Sequence, residues 1–176
     1  MTTDLKLPRL TDKTAVTDTS TGKALLVFTR LWDALCRALE AKIDTIVAGG
    51  TYGPAGICFV IDGQSTVIGT GIKGYLSVPF NCTINSSTLL ADQSGSIVVN
   101  IYKCTYSQFN PTTHPAVGDK ITASAPPTIS SAKKASDTTL TGWTITITAG
   151  DVLGFNVDSC ATITKATITL GVTKTL

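Results

Sequence analysis

Ser96-Ile97-Val98-Val99-Asn100-Ile101-Tyr102 is the stretch on which the fold turns. Ile97, Val99 and Ile101 fall on one face, and a period of two is that of a strand with one side buried. The same period recurs on either side of it. Ile57-Cys58-Phe59-Val60-Ile61-Asp62 is an apolar run closed by Gly63, and Tyr75 to Phe80 alternates. Trp143 to Thr148 puts Ile145 and Ile147 on one face and threonines on the other. Val152 to Val157 and Thr162 to Val172 add two more strands. In the last of these Ile163 has the opposite parity to Ile168, Leu170 and Val172, which predicts a bulge near Lys165-Ala166. Turns are expected at Asp62-Gly63, Ser94-Gly95, Gly118-Asp119 and Ala149-Gly150-Asp151. Short strands at this spacing predict a mainly β fold, an antiparallel, jelly-roll-like sandwich over residues 51–176. Residues 105–137, with Pro111, Pro115 and Pro126-Pro127, lack alternation and read as a functional or edge-covering excursion, with Lys133-Lys134 in a solvated turn.

Upstream the pattern is different. Half of the chain's 26 charged residues lie in the first 50 of its 176 positions, so charge density falls about 2.5-fold at Gly49-Gly50. A fall of that size at a Gly-Gly pair reads as a domain boundary. Leu25, Phe28, Leu31, Trp32, Leu35, Leu39, Ile43 and Ile46 recur at steps of three and four, which predicts an amphipathic helix within residues 23–50. Ser20 or Thr21 can cap its start and Gly49-Gly50 can end it. Leu25, Phe28, Trp32, Leu35 and Leu39 fit a heptad seam, which Lys42 interrupts. One helix cannot bury such a stripe alone. Either it packs on the chain's own sheet, or it packs on copies of itself about a symmetry axis, and the seam favours the copies. Residues 1–22 are Thr-rich and aperiodic, with Leu5, Leu7 and Leu10 around Pro8, and read as an extended arm.

Composition narrows the chemistry. The net charge of +2 steers the chain neither to nucleic acid nor to an anionic membrane surface. No apolar run reaches the ~18 residues of a spanning helix, and the N-terminus does not read as a secretory leader. His114 is the single histidine and Glu40 the single glutamate, too few for a His-based metal centre or a Glu-based hydrolase. Cys36, Cys58, Cys82, Cys104 and Cys160 are odd in number and form no Cys-x-x-Cys, so they read as small apolar residues of a protein folded in a reducing cytosol. Gly69-Thr70-Gly71-Ile72-Lys73-Gly74 matches a dinucleotide fingerprint in letters only, because a strand rather than a helix follows. His114, without a fixed acid partner in the sequence, reads as a loop residue. The aspartates beside Gly and Ser read as turn formers. Trp143 reads as core, while Tyr106 and Phe109 are the candidates for stacking on a sugar. No cofactor and no catalytic residue is expected.

Several segments together resemble a C-terminal β domain of tail and fibre proteins of tailed bacteriophages. They are Gly71-Ile-Lys-Gly74, Val78-Pro-Phe-Asn-Cys-Thr-Ile84, Leu89 to Tyr102, Ile121-Thr-Ala-Ser124, Leu140-Thr-Gly-Trp143 and Gly150 to Val157. Phe28 to Glu40, with Leu7-Pro8-Arg9 upstream, is similar to the short segments that precede such domains. The resemblance covers about residues 57–175 and brings no catalytic residues. It implies a homotrimeric virion structural protein: a short fibre, spike or capsid decoration held by its N-terminus on other phage virion proteins. In that picture Leu5, Leu7, Pro8 and Leu10 dock on the particle and the helix stripe joins the three chains. The β domain faces outward, where Tyr106 and Phe109 could meet a host-surface glycan. The alternative is a stand-alone carbohydrate-binding module; a depolymerase is the weakest reading, because acids and bases are so few.

Overall fold

The structure, a computed structural model, describes residues 32–43 and 53–175. The chain divides into two compact units, Met1–Gly50 and Thr51–Leu176.

In the first unit residues 32–43 form a helix, α1. Its sequence suits one: Leu, Ala, Arg, Glu and Lys are strong helix formers, with no Gly or Pro among them.

The second unit is mainly β. Its strands are β1 (Pro54–Asp62), β2 (Gly71–Ser77), β3 (Cys82–Cys104), β4 (Thr128–Asp137), β5 (Thr146–Ile147), β6 (Val152–Ala161) and β7 (Lys165–Lys174). All pair antiparallel in one sheet of order β1-β7-β3-β6-β2, with β4 and β5 also on β3. The 23-residue β3 organises it. Its first half pairs with β7, from Cys82 opposite Lys174 to Ala91 opposite Ala166. Its second half pairs with β6, from Ser96 opposite Ala161 to Cys104 opposite Val152. Between the halves the strand turns a corner at Gly95, marked by register shifts against β4. The sheet therefore curls and brings β1 onto β6, three places along: Phe59 of β1 stacks on Phe155 of β6, ring centroids 4.2 Å apart and 8° from parallel.

Between the two limbs lies the core. Ile57, Ile61, Ile84, Leu89, Ile168 and Leu170 come from one limb and Ile97, Val99, Ile101, Leu153, Phe155 and Val157 from the other. Ile97, Val99 and Ile101 point inward together, as their period predicts. The second limb is buried on its outer side too. Residues 105–127 cross it, Ile121 N–H bonds Ile101 C=O at 2.9 Å, and Pro115 lies so close to Gly154 that a Cβ there would sit 2.8 Å from its Cγ. This cover is why β6 reads as a continuous apolar run.

Four sequence expectations need correction. Ser94-Gly95 is not a chain reversal but the corner inside β3. Lys133 and Lys134 lie in a strand, β4, whose mostly exposed side chains hide its period. The parity change after Ile163 is no bulge: Thr162, at φ 70°, and Ile163 belong to the β6–β7 turn, and β7 starts cleanly at Lys165. The strand expected over Trp143–Thr148 is only the two residues of β5.

Candidate functional site

Helix α1 carries the first candidate surface. Trp32, Leu35 and Leu39 sit on one stripe and are 38%, 58% and 47% exposed. Ile43 is half-buried and Cys36 is buried. Leu25, Phe28, Leu31 and Ile46 lie outside the described residues, as do Leu5, Leu7, Pro8 and Leu10. An exposed apolar stripe along a helix is a signal for a partner.

The second surface is the excursion over residues 105–127. Tyr106 is 77% exposed, and Val117 of the 3-10 turn Val117–Asp119 is exposed as well. Phe109 does not stand beside Tyr106 as a free platform; it is half-buried, edge-on to Tyr75 at 4.9 Å. His114 does have an acid partner, its Nδ1 lying 2.8 Å from Asp119 Oδ2, which also accepts from Ala116 N–H at 2.8 Å. Burial would raise the Asp119 carboxyl, but these hydrogen bonds and the imidazole outweigh it and hold it below its ordinary value.

A polar network pins the excursion to the sheet. Asn100, buried on the outer side of β3, accepts from Thr122 Oγ1 at 2.5 Å and donates to Asp158. Asn156 Nδ2 donates to the other oxygen of Asp158 at 2.6 Å. Nearby, burial and the Asp158 charge push the Tyr102 hydroxyl up. Sequence reading missed this network, since its members lie 22 and 58 residues apart. The His114–Asp119 pair, five apart, was within reach of inspection.

The aspartates do turn work. Asp62 accepts from Gln64 N–H and pairs with Lys165 at 2.9 Å; Asp137 accepts from Thr139 and Leu140 N–H; Asp151 accepts from Thr148 N–H and pairs with Lys103 at 3.2 Å. Among the described residues no cluster of His, Cys, Asp or Glu is placed to hold a metal ion, and no helix is long and apolar enough to cross a membrane. All five cysteines are free, with Cys58 exposed against expectation. The Gly69–Gly74 motif runs into β2; Gly71 has φ 96°, and a Cβ on Gly74 would meet the Phe59 ring at 2.8 Å. Gly74 thus serves close packing and Gly71 a positive-φ turn into the strand, with no helix N-terminus following to receive a phosphate.

Hydrogen bonds set the acid response of the domain. Asp62 is lowered first by Lys165, Asp92 by the Thr164 hydroxyl, and Asp137 by Thr139 N–H, all from the ordinary 3.8. With Asp119 these are groups whose folded values lie below the unfolded ones, so their contribution is present above 3.8 and lost as pH falls through the folded values. Lys165 is raised above 10.5 by Asp62, so its contribution is lost only as alkaline pH passes that raised value. Thermal melts should be level near about pH 6 and lower near about pH 3. An unchanged melt in acid would refute the assignment.

No family model matches the chain, and no curated protein matches it. Among solved structures it is similar to a chain of the cyanophage Pam1 capsid asymmetric unit, at 17% identity and a TM-score of 0.27, covering 73% of this chain and 86% of that one. That neighbour belongs to a phage particle, but a likeness so loose is no ground for assigning this chain a role.

Proposed function

We propose that the chain is a non-enzymatic structural component of a tailed-phage virion, a short homotrimeric fibre, spike or decoration protein. Its N-terminal arm, through Leu5, Leu7, Pro8 and Leu10, docks on other virion proteins. Its helix stripe bundles three chains, and the curled sheet forms a jelly-roll-like sandwich that faces outward. The observation that carries this reading is the exposed stripe Trp32, Leu35 and Leu39, at heptad spacing on a helix. Support comes also from the scarcity of charge beyond residue 50 and from the sequence resemblance to phage tail and fibre domains. The outward-standing Tyr106 supports contact with a host glycan, since an exposed aromatic face is suited to stacking on a sugar ring.

Sedimentation of the full chain tests the assembly. We expect a mass that is a multiple of three chains, and a Leu35→Glu/Leu39→Glu variant that loses the factor of three while its far-ultraviolet β signal is unchanged. A monomer at micromolar concentration would overturn the trimer, and would favour the stand-alone glycan-binding module with Tyr106 at its contact surface.

A further inference from the structure

An exposed sheet edge offers unpaired N–H and C=O groups, and proteins blunt such edges with lysines, bulges and breaks. Among the described residues this sheet has three long strands with a free edge, and two are blunted. β4 carries Lys133 and Lys134, two register shifts and Ser131 at φ 49°. β2 carries Lys73, a bulge between Ile72 and Gly74, and Gly71 at φ 96°. The third, β1, has none of these devices. It pairs with β7 without a break from Pro54 opposite Thr173 to Asp62 opposite Lys165. Its one charge is at the last position, its one proline at the first, and its outer face is Gly56, Cys58 and Val60, with Val60 54% exposed. An open cleft of about 250 Å³ between Gly56–Cys58 and Leu76–Phe80 separates this edge from the end of β2.

We infer that β1 is a pairing edge and that its occupant is the β1 of a second copy of this chain, antiparallel about Cys58. Charge favours that occupant. One end of the β1 edge holds Asp62, Asp92 and Lys165, within electrostatic reach of one another and net negative, while the other holds Lys174, next to the register partner of Pro54. An antiparallel copy sets the negative end of each chain beside the positive end of the other and keeps the two Asp62 carboxylates roughly 27 Å apart. A parallel copy would stack like on like. Cys58 is the midpoint of the nine residues, so a two-fold there pairs the whole strand. Ile57 falls opposite the partner's Phe59, extending the apolar inner face, and Gly56 falls opposite the partner's Val60. A two-fold contact cannot form within a three-fold bundle, so it joins the β domains of separate trimers.

The test is a short bis-maleimide on the full chain carrying Cys160→Ser, with and without Val60→Lys. We expect a Cys58–Cys58 cross-linked dimer that falls more than tenfold with Val60→Lys, and a sedimenting mass that drops from several trimers to one. Failure to cross-link together with an unchanged mass would overturn the pairing, as would Cys58 joined instead to Cys36 of another copy. Failure of the trimer is seen separately: Val60→Lys would then take a dimer to a monomer.

Discussion

Truncating Phe155 to Ala is expected to cost the β domain about 3–5 kcal/mol, the range for removing a fully buried aromatic. Phe155 has no solvent exposure, and its ring lies flat on Phe59 at 4.2 Å. That stack is the contact between strands three places apart in the sheet order, so it holds the curl closed. The cavity cannot collapse, because Leu153, Val157 and Ile101 are fixed by strand pairing on either side. Against a total stability of about 5–15 kcal/mol for a domain, such a loss removes a large fraction of the whole. Urea unfolding followed by tryptophan fluorescence measures it, with Tyr106→Ala as the control expected within about 0.5 kcal/mol. A cost below about 1.5 kcal/mol would mean that the limbs close without this stack.

Gly95→Ala should be comparably severe although it adds one methyl. A Cβ at Gly95 would stand 2.3 Å from Thr162 Oγ1, 2.4 Å from Ala161 C=O and 2.7 Å from Ile163 Cγ1. The Thr162 hydroxyl cannot swing away freely, because it donates to Ser94 C=O at 2.8 Å, and the Ala161 carbonyl is main chain. The corner of β3 must open or the β6–β7 turn must shift, for about 3 kcal/mol or more, at the upper end of overpacking costs. Gly118→Ala is the paired control, since nothing lies within 4 Å of the new methyl. Equal melting temperatures for the two variants would show that the corner yields easily.

How much of this was legible depended on where each residue keeps its partner. Ile97, Val99 and Ile101 announce their strand because one side meets the core and the other does not. The same strand hides a surprise at Asn100, whose alternation predicts a solvated amide. It is buried under an excursion anchored by Thr122, and no local pattern encodes that cover. The first half of β3, with its Asn-Ser-Ser-Thr run and a Ser-Gly that looks like a turn, was unreadable because a bulge at Asn85 and the corner at Gly95 both break the period. β4 was missed because it buries almost nothing besides Ile129. On the candidate surfaces, the three- and four-residue steps located a helix where residues 32–43 form one, and Tyr106 stands open. Phe109 is held by Tyr75, 34 positions away in sequence, which spacing could not show.

Because β3 belongs to both limbs, neither limb can melt by itself. Loosening β7 strips the first half of β3 of its ladder, and the slack passes through Gly95 into the half that β6 needs. The domain is thereby built to let go in a single cooperative step. No half-open intermediate is then left to present bare strand to its surroundings.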